Sequence, residues 1–203
     1  MAAITSSTEH GPVIDPSTYL AKETLKDGTE VTVRAIRRED SGSILESFKI
    51  LDREAIYRRF FSHKKELSDA ELKQLTDVDF SRVVALVVTR GTSEGETLIG
   101  GARYAAEGPE TSRTAELAFV TGEDYRGRGI ASLLLRHLTR LAQEAGVSRF
   151  EANVLADNHP MLVVFRSSGL PMRQRRDGSV IHVTLELEPD PSDKFQAVRG
   201  SGS

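Results

Sequence analysis

The stretch Tyr125-Arg126-Gly127-Arg128-Gly129-Ile130-Ala131 constrains the fold more than any other part of this 203-residue chain. The apolar run Glu116-Leu117-Ala118-Phe119-Val120 precedes it and reads as a strand. A helical pattern follows, in which Leu134, Leu138, Leu141 and Ala145 recur at intervals of four, three and four and so share one face. Gly146 stands where a helix C-cap wants a residue free to take positive φ. A strand, a glycine-rich turn and a helix N-terminus in that order leave several backbone N–H groups without intrahelical partners. The helix dipole adds positive potential there, so the turn suits a phosphate or pyrophosphate. Arg126 and Arg128 put two cations beside it.

The missing residues narrow the ligand. A dinucleotide fingerprint starting at Gly127 and Gly129 has Ser132 at its third position, and no acidic residue ends a strand at the expected distance. The Lys-Ser/Thr pair of a nucleoside-triphosphate loop is absent too. What remains, Arg-x-x-Gly-x-Ala, reads by itself either as a phosphate loop or as a basic surface turn with glycines for geometry only. Downstream come a second strand, Phe150 to Leu155, and then Asn158, Phe165 and Gly169-Leu170.

This combination resembles the GNAT superfamily of N-acetyltransferases, in which Arg-x-x-Gly-x-Ala is the acyl-CoA pyrophosphate loop. The resemblance covers residues 29–188 and is strongest over 114–170. It implies that acetyl-CoA is held by Arg126, Gly127, Arg128, Gly129, Ile130 and Ala131, by the strand residues Leu117, Ala118, Phe119 and Val120, and by Asn158 and Phe165. Leu170 stands where the family has Phe. Phe165 is a further departure, since many members have there a Tyr that protonates the departing thiolate.

Composition agrees with one soluble domain: 38% hydrophobic, 28% charged, and long enough to bury a core. A net charge of −3 offers no basic field for nucleic acid. The absence of cysteine excludes a disulfide framework, a thiolate metal site and a covalent acyl-cysteine route, which leaves direct transfer. No apolar run approaches membrane-spanning length and residues 1–20 lack a signal pattern, so a cytoplasmic location is expected.

Along the chain, residues 1–24 read as a flexible leader, 25–188 as the catalytic domain and 189–203 as a flexible tail. Asp27-Gly28 signals a tight hairpin, and Val31, Val33 and Ala35 alternate in the first main strand. Ile44, Leu45, Phe48 and Leu51 mark a helix, and Ile56, Tyr57, Phe60 and Phe61 a second. Ser68 and Glu71 form a capping-box start to a third. Residues 82–90 suit a buried strand, and 97–106 its antiparallel partner, with Gly100-Gly101 suggesting a bulge or close contact. Asn158 is a good N-cap for helix 158–168, and Asp177-Gly178 turns the last hairpin. This order predicts an α/β (α+β) fold with a mixed, mostly antiparallel sheet flanked by helices, as in GNAT proteins.

Glu116 is the candidate general base. It interrupts an apolar strand before the loop, where burial would raise a carboxylate's pKa. A carboxylate with a pKa near neutrality suits removal of a proton from a substrate ammonium. In protein lysine acetyltransferases of the superfamily a Glu on the corresponding strand has that role. The competing reading is an exposed or arginine-paired carboxylate. Asn158 caps its helix, hydrogen-bonds the pantetheine arm, or does both, and Asn153 is a weaker candidate. The five histidines show no pairing with carboxylates at ligand spacing; His137 reads as a surface residue, and no metal site is expected.

Glu54-Ala55-Ile56-Tyr57-Arg58-Arg59-Phe60-Phe61 with Leu67-Ser68, and Val33 to Asp40 after the first hairpin, are similar to bacterial Pat-type protein lysine acetyltransferases. That group also lacks the Tyr at Phe165. The resemblance implies a protein lysine as acceptor, in particular one on an acyl-CoA synthetase. The alternatives are an acetyltransferase of a small amine and a non-catalytic acyl-CoA-binding module. Acidic residues scattered through the sequence and only 6% aromatics argue weakly against a small-amine site.

Overall fold

The structure, a computed structural model, describes residues 14–50, 66–93, 95–109 and 113–187. Its strands are β1 (Leu20–Thr24), β2 (Glu30–Ala35), β3 (Val83–Thr92), β4 (Gly95–Glu107), β5 (Arg113–Thr121), β6 (Val147–Leu155), β7 (Met172–Asp177) and β8 (Val180–Glu186). The helices are α1 (Ser41–Ile50), α2 (Asp69–Thr76), α3 (Ile130–Glu144) and α4 (His159–Arg166). The strands form one eight-stranded sheet in the order β1-β2-β3-β4-β5-β6-β8-β7. Only β5 and β6 run parallel, so the mixed, mostly antiparallel architecture expected from the sequence is the one observed. No described helix is long and apolar enough to cross a membrane.

Alternation decides which face each strand buries. Val33, Val84, Leu86, Val88, Tyr104, Ala115, Leu117 and Phe150 join one core with the Ile130, Leu134, Leu138 and Leu141 stripe of α3. That stripe is 0–1% exposed, and each such side chain contributes about 1.5–3 kcal/mol. The opposite face is divided. Over β2 to β4 it carries Ile36, Ala85, Val87 and Leu98 beneath Ile44 of α1. Over β5 to β8 it presents polar, exposed residues, among them Glu116, Glu151 and Asn153.

Local signals operate as the residue types dictate. Ser68 and Glu71 exchange the reciprocal capping-box bonds. Asn158 Oδ1 accepts from the Met161 amide at 3.3 Å to cap α4. Asp27-Gly28 and Asp177-Gly178 close the β1–β2 and β7–β8 hairpins. The helix expected to hold Ile56, Tyr57, Phe60 and Phe61 lies outside the described residues.

Three expectations are corrected. Residues 20–24, assigned to the leader, are β1, because they pair in full register with β2 while Tyr19 and Leu25 on either side are buried. His137 is not a surface residue but 7% exposed. The Tyr19 hydroxyl lies 2.5 Å from its Nδ1, and Glu23 Oε1 lies 3.1 Å from Nε2, close enough for an ion pair but misaligned for a hydrogen bond. Burial pushes the imidazole pKa down against the pull of Glu23. Glu116, expected to be buried, is exposed, because its side chain points from β5 to the half of the sheet that no described residue covers.

A buried ion pair fixes the junction of β2 with α1. Arg34 grips Asp40 with two hydrogen bonds at 2.9 and 2.7 Å, both side chains being at most 10% exposed. Burial pushes the Asp40 carboxyl up, but bonds from Arg34 and the Arg37 amide outweigh it and hold it below the usual carboxylate range. Arg34→Met leaves that carboxylate buried and unpaired, and should cost about 3–5 kcal/mol in chemical denaturation. Because the folded pKa is lowered, the wild-type contribution is complete above the ordinary Asp value, about 3.9, and is lost as pH falls through the folded one. The loss on mutation should therefore shrink in strongly acidic buffer.

Candidate active site

The site begins where β5 and β6 separate. Their parallel pairing covers Arg113↔Val147, Thr114↔Arg149, Ala115↔Phe150 and Glu116↔Glu151, and then stops. β5 nevertheless continues to Thr121 and β6 to Leu155. Beyond Glu116 the facing edges carry backbone groups with no ladder partner, which an extended ligand can bond. On the core side Phe119 meets Phe165 of α4 edge-on, with centroids 6.0 Å apart, and closes the gap from behind. Glu116, Ala118 and Val120 share the other face, opposite Ala105, Arg103 and Gly101 of β4.

At its far end β5 leads into the glycine-rich loop. The Gly122 amide donates to the Ile99 carbonyl at 3.0 Å, and one 3-10 turn over Glu123–Tyr125 redirects the chain. Gly127 and Gly129 take φ of 74° and 93°, left-handed values that favour glycine. Gly129 is the N-cap of α3 and has no side chain to satisfy the first-turn amides. The Leu133 amide bonds back to Gly129, so those of Ile130, Ala131 and Ser132 lack intrahelical acceptors at a positive dipole end.

The loop is seated by a close approach. A Cβ on Gly100 would lie 2.7 Å from Ile130 Cγ2 and 3.3 Å from the Val120 carbonyl. The pairing of β3 with β4 skips Ile99 there, so the expected bulge and the close contact coincide. Arg128 bonds Asp27 of the β1–β2 turn at 3.0 Å and lies 5.1 Å over the Tyr125 ring. Arg126 is 4.0 Å from Glu123. Hydrogen bonds from Thr29, assisted by Arg128, hold the Asp27 carboxyl below its ordinary pKa.

A cavity of about 680 Å³ runs from Tyr125 along this face to Arg103 and Ala118, with Ile44 and Ser47 of α1 on its far wall. Glu46, Glu96, Glu123 and Asp124 also line it. Acidic residues scattered through the sequence thus border one space.

Ala118 and Val120 line the cavity with Tyr125; the loop residues 126–131 follow Tyr125 in the chain, and Glu116 shares the β5 face of Ala118 and Val120 but is not among the lining residues. Leu117 and Phe165 are 5% and 1% exposed and Phe119 packs on Phe165, so these side chains form the wall behind the gap. Asn158 caps its helix through Oδ1, and that bond leaves the side-chain N–H groups uninvolved. Asn153 Oδ1 lies 2.6 Å from His182 Nδ1 on the uncovered face. Glu151, beside Glu116 in the parallel register, and Lys26, whose stem crosses Gly129, escaped the sequence reading. Only strand register and hairpin docking reveal them.

A mixed sheet whose one parallel pair parts, a glycine-rich loop opening α3 and an aromatic seal behind the gap define an acyl-CoA-dependent N-acyltransferase architecture. The profile of the acetyltransferase (GNAT) family matches residues 50–170, and the chain belongs to that family. It is 36% identical over 143 residues to acetyltransferase Pat of Mycolicibacterium smegmatis, a match covering 70% of this chain and 41% of that protein. The chain therefore spans well under half of that relative's length. Acetyltransferase PA5475 of Pseudomonas aeruginosa is 31% identical over 79% of this chain and 86% of its own. The crystal structure of the GNAT domain of S. lividans PAT superposes with a TM-score of 0.73 at 30% identity, covering 82% of this chain and 96% of that one.

Gly100→Ala should cost about 1–3 kcal/mol by overpacking against Ile130 at the start of α3. Gly101→Ala, whose Cβ would lie 3.4 Å from the nearest atom, should cost less. Thermal unfolding of both variants measures the difference.

Proposed function

We propose that the chain transfers an acetyl group from acetyl-CoA to the ε-amine of a protein lysine, in the cytoplasm, with Glu116 as general base. The observation that carries this reading is the end of β5–β6 pairing at Glu116. It puts a carboxylate at the head of an unpaired strand edge whose other end is the phosphate loop. In this reading the loop amides hold the pyrophosphate and the free edge of β5 from Leu117 to Val120 bonds the pantetheine arm. The thioester then lies near Glu116.

Glu116 takes the proton of the acceptor ammonium, directly or through a water. The freed amine attacks the thioester carbonyl and a C–N bond forms; the attacking nitrogen gives its second proton to solvent, the C–S bond breaks, and CoA leaves as a thiolate. Phe165 has no proton to supply. With a thiol pKa of about 8.5 the leaving group tolerates that near neutral pH. Similarity to acetyltransferase Pat and to the GNAT domain of S. lividans PAT supports a protein acceptor, and an acyl-CoA synthetase is the proposed one.

One observation favours the small-amine reading. Glu46, Glu96, Glu123 and Asp124 all line the cavity, a concentration of acidic residues that suits a free cationic amine, although Glu96 is paired with Arg34 and Glu123 lies 4.0 Å from Arg126. Acetyl transfer to a purified acyl-CoA synthetase and to a panel of small amines decides between the two. Site-restricted lysine acetylation found by mass spectrometry supports the first. Turnover of a free amine with kcat/KM near 10⁴ M⁻¹s⁻¹ or above, about what ordinary enzymes reach on their own substrates, supports the second.

Saturating CoA should raise the melting temperature, since a ligand at one hundred times its Kd adds about 2.7 kcal/mol to native stability. Gly129→Glu should abolish the rise, because it puts a strained, anionic residue among the loop amides. Glu116→Gln should lower kcat by about 10²- to 10⁴-fold while leaving acetyl-CoA affinity nearly unchanged. Wild-type kcat in Glu116→Gln across the pH range would reassign the base.

A further inference from the structure

We propose that the β1–β2 turn is the outer wall of the acyl-CoA phosphate site and that Lys26 contacts a ligand phosphate there. The inference rests on the reading of residues 126–131 as the phosphate loop, and adds to it a residue 100 positions away in the chain.

The turn is docked on the loop at two points. Asp27 divides its carboxylate: Oδ1 accepts from the Thr29 amide at 3.0 Å, and Oδ2 accepts from Arg128 Nη1 at 3.0 Å. One carboxylate therefore shapes its own turn and ties that turn to the loop. Leu25, 6% exposed, anchors the hairpin in the core, and its amide closes the turn on the Thr29 carbonyl at 2.9 Å.

The second point is Lys26. Its Cγ, Cδ and Cε lie 3.5, 3.6 and 3.5 Å from where a Cβ of Gly129 would stand. The stem thus crosses the N-cap of α3, and Nζ, one bond of about 1.5 Å further, stays within about 5 Å of that point. The cations nearest the loop differ in their partners. Arg128 is neutralised by Asp27, and Arg126 has Glu123 at 4.0 Å. Lys26 makes no ion pair among the described residues. A cation with its stem laid over Gly129 and its head unpaired, beside amides lacking acceptors, is arranged for a phosphate. The occupied Arg128 instead holds the wall in place.

Kinetics with two acetyl donors test this. For acetyl-CoA, Lys26→Met should raise KM about 5- to 10-fold with kcat unchanged, and Lys26→Arg should recover most of the loss. For S-acetylpantetheine, which carries no phosphate, Lys26→Met should match wild type in kcat/KM. Titration of CoA into both proteins should show the same 5- to 10-fold loss of affinity, with a shallower salt dependence in Lys26→Met. An unchanged CoA affinity in Lys26→Met, or an equal loss with both donors, overturns the assignment. If wild type itself binds no CoA, the loop reading fails instead, so the two failures are told apart.

Discussion

Hydrogen bonding between β5 and β6 ends abruptly after Glu116 and Glu151, and the cleft depends on that break. A parallel pair requires a long crossover, and α3 supplies it. The same helix fills the core face of the sheet with its leucine stripe and presents its N-terminus beside the end of β5. Separation would leave a hole in the core unless something sealed it. Phe119 and Phe165 pack edge-on behind it, on the core side. Phe165 therefore has a structural role that requires a ring but no hydroxyl.

The loop geometry follows from packing as much as from its own residues. Gly127 and Gly129 permit the turn, but Gly100 determines how near α3 approaches the sheet. An ion pair to Asp27 and the Tyr125 ring hold Arg128 from two sides. The cleft is thus largely organised before a ligand arrives, which lowers the ordering cost of binding. On the other flank the buried Arg34–Asp40 pair ties β2 to the turn that opens α1, whose Ile44 and Ser47 wall the cavity. Arg34 also reaches Glu96 at 3.2 Å, connecting this structural pair to the cavity lining.

Much of this was legible because it is local. A capping box, an Asn N-cap, two Asp-Gly turns and a helix stripe of Leu134, Leu138 and Leu141 each depend on residues within a few positions of one another. The misread residues depend on distant ones. His137 resembles a solvent-facing helix residue until Tyr19, 118 positions earlier, folds over it. Glu116 sits in an apolar run, which suggests burial, but burial in a strand is decided by what covers each face. Here nothing described covers that half of the sheet.

By itself the sequence determined the strand–loop–helix unit, the order of elements and the family, because periodicity and turn chemistry act over a few residues and leave their pattern in the chain. Tertiary structure alone decided where β5 and β6 part, that Glu116 is exposed, that four scattered acidic residues line one cavity, and that Lys26 and Asp27 border the glycine-rich loop. Those facts come from register and docking between segments up to a hundred residues apart. No local pattern encodes them, because each depends on how several separate faces are buried at once.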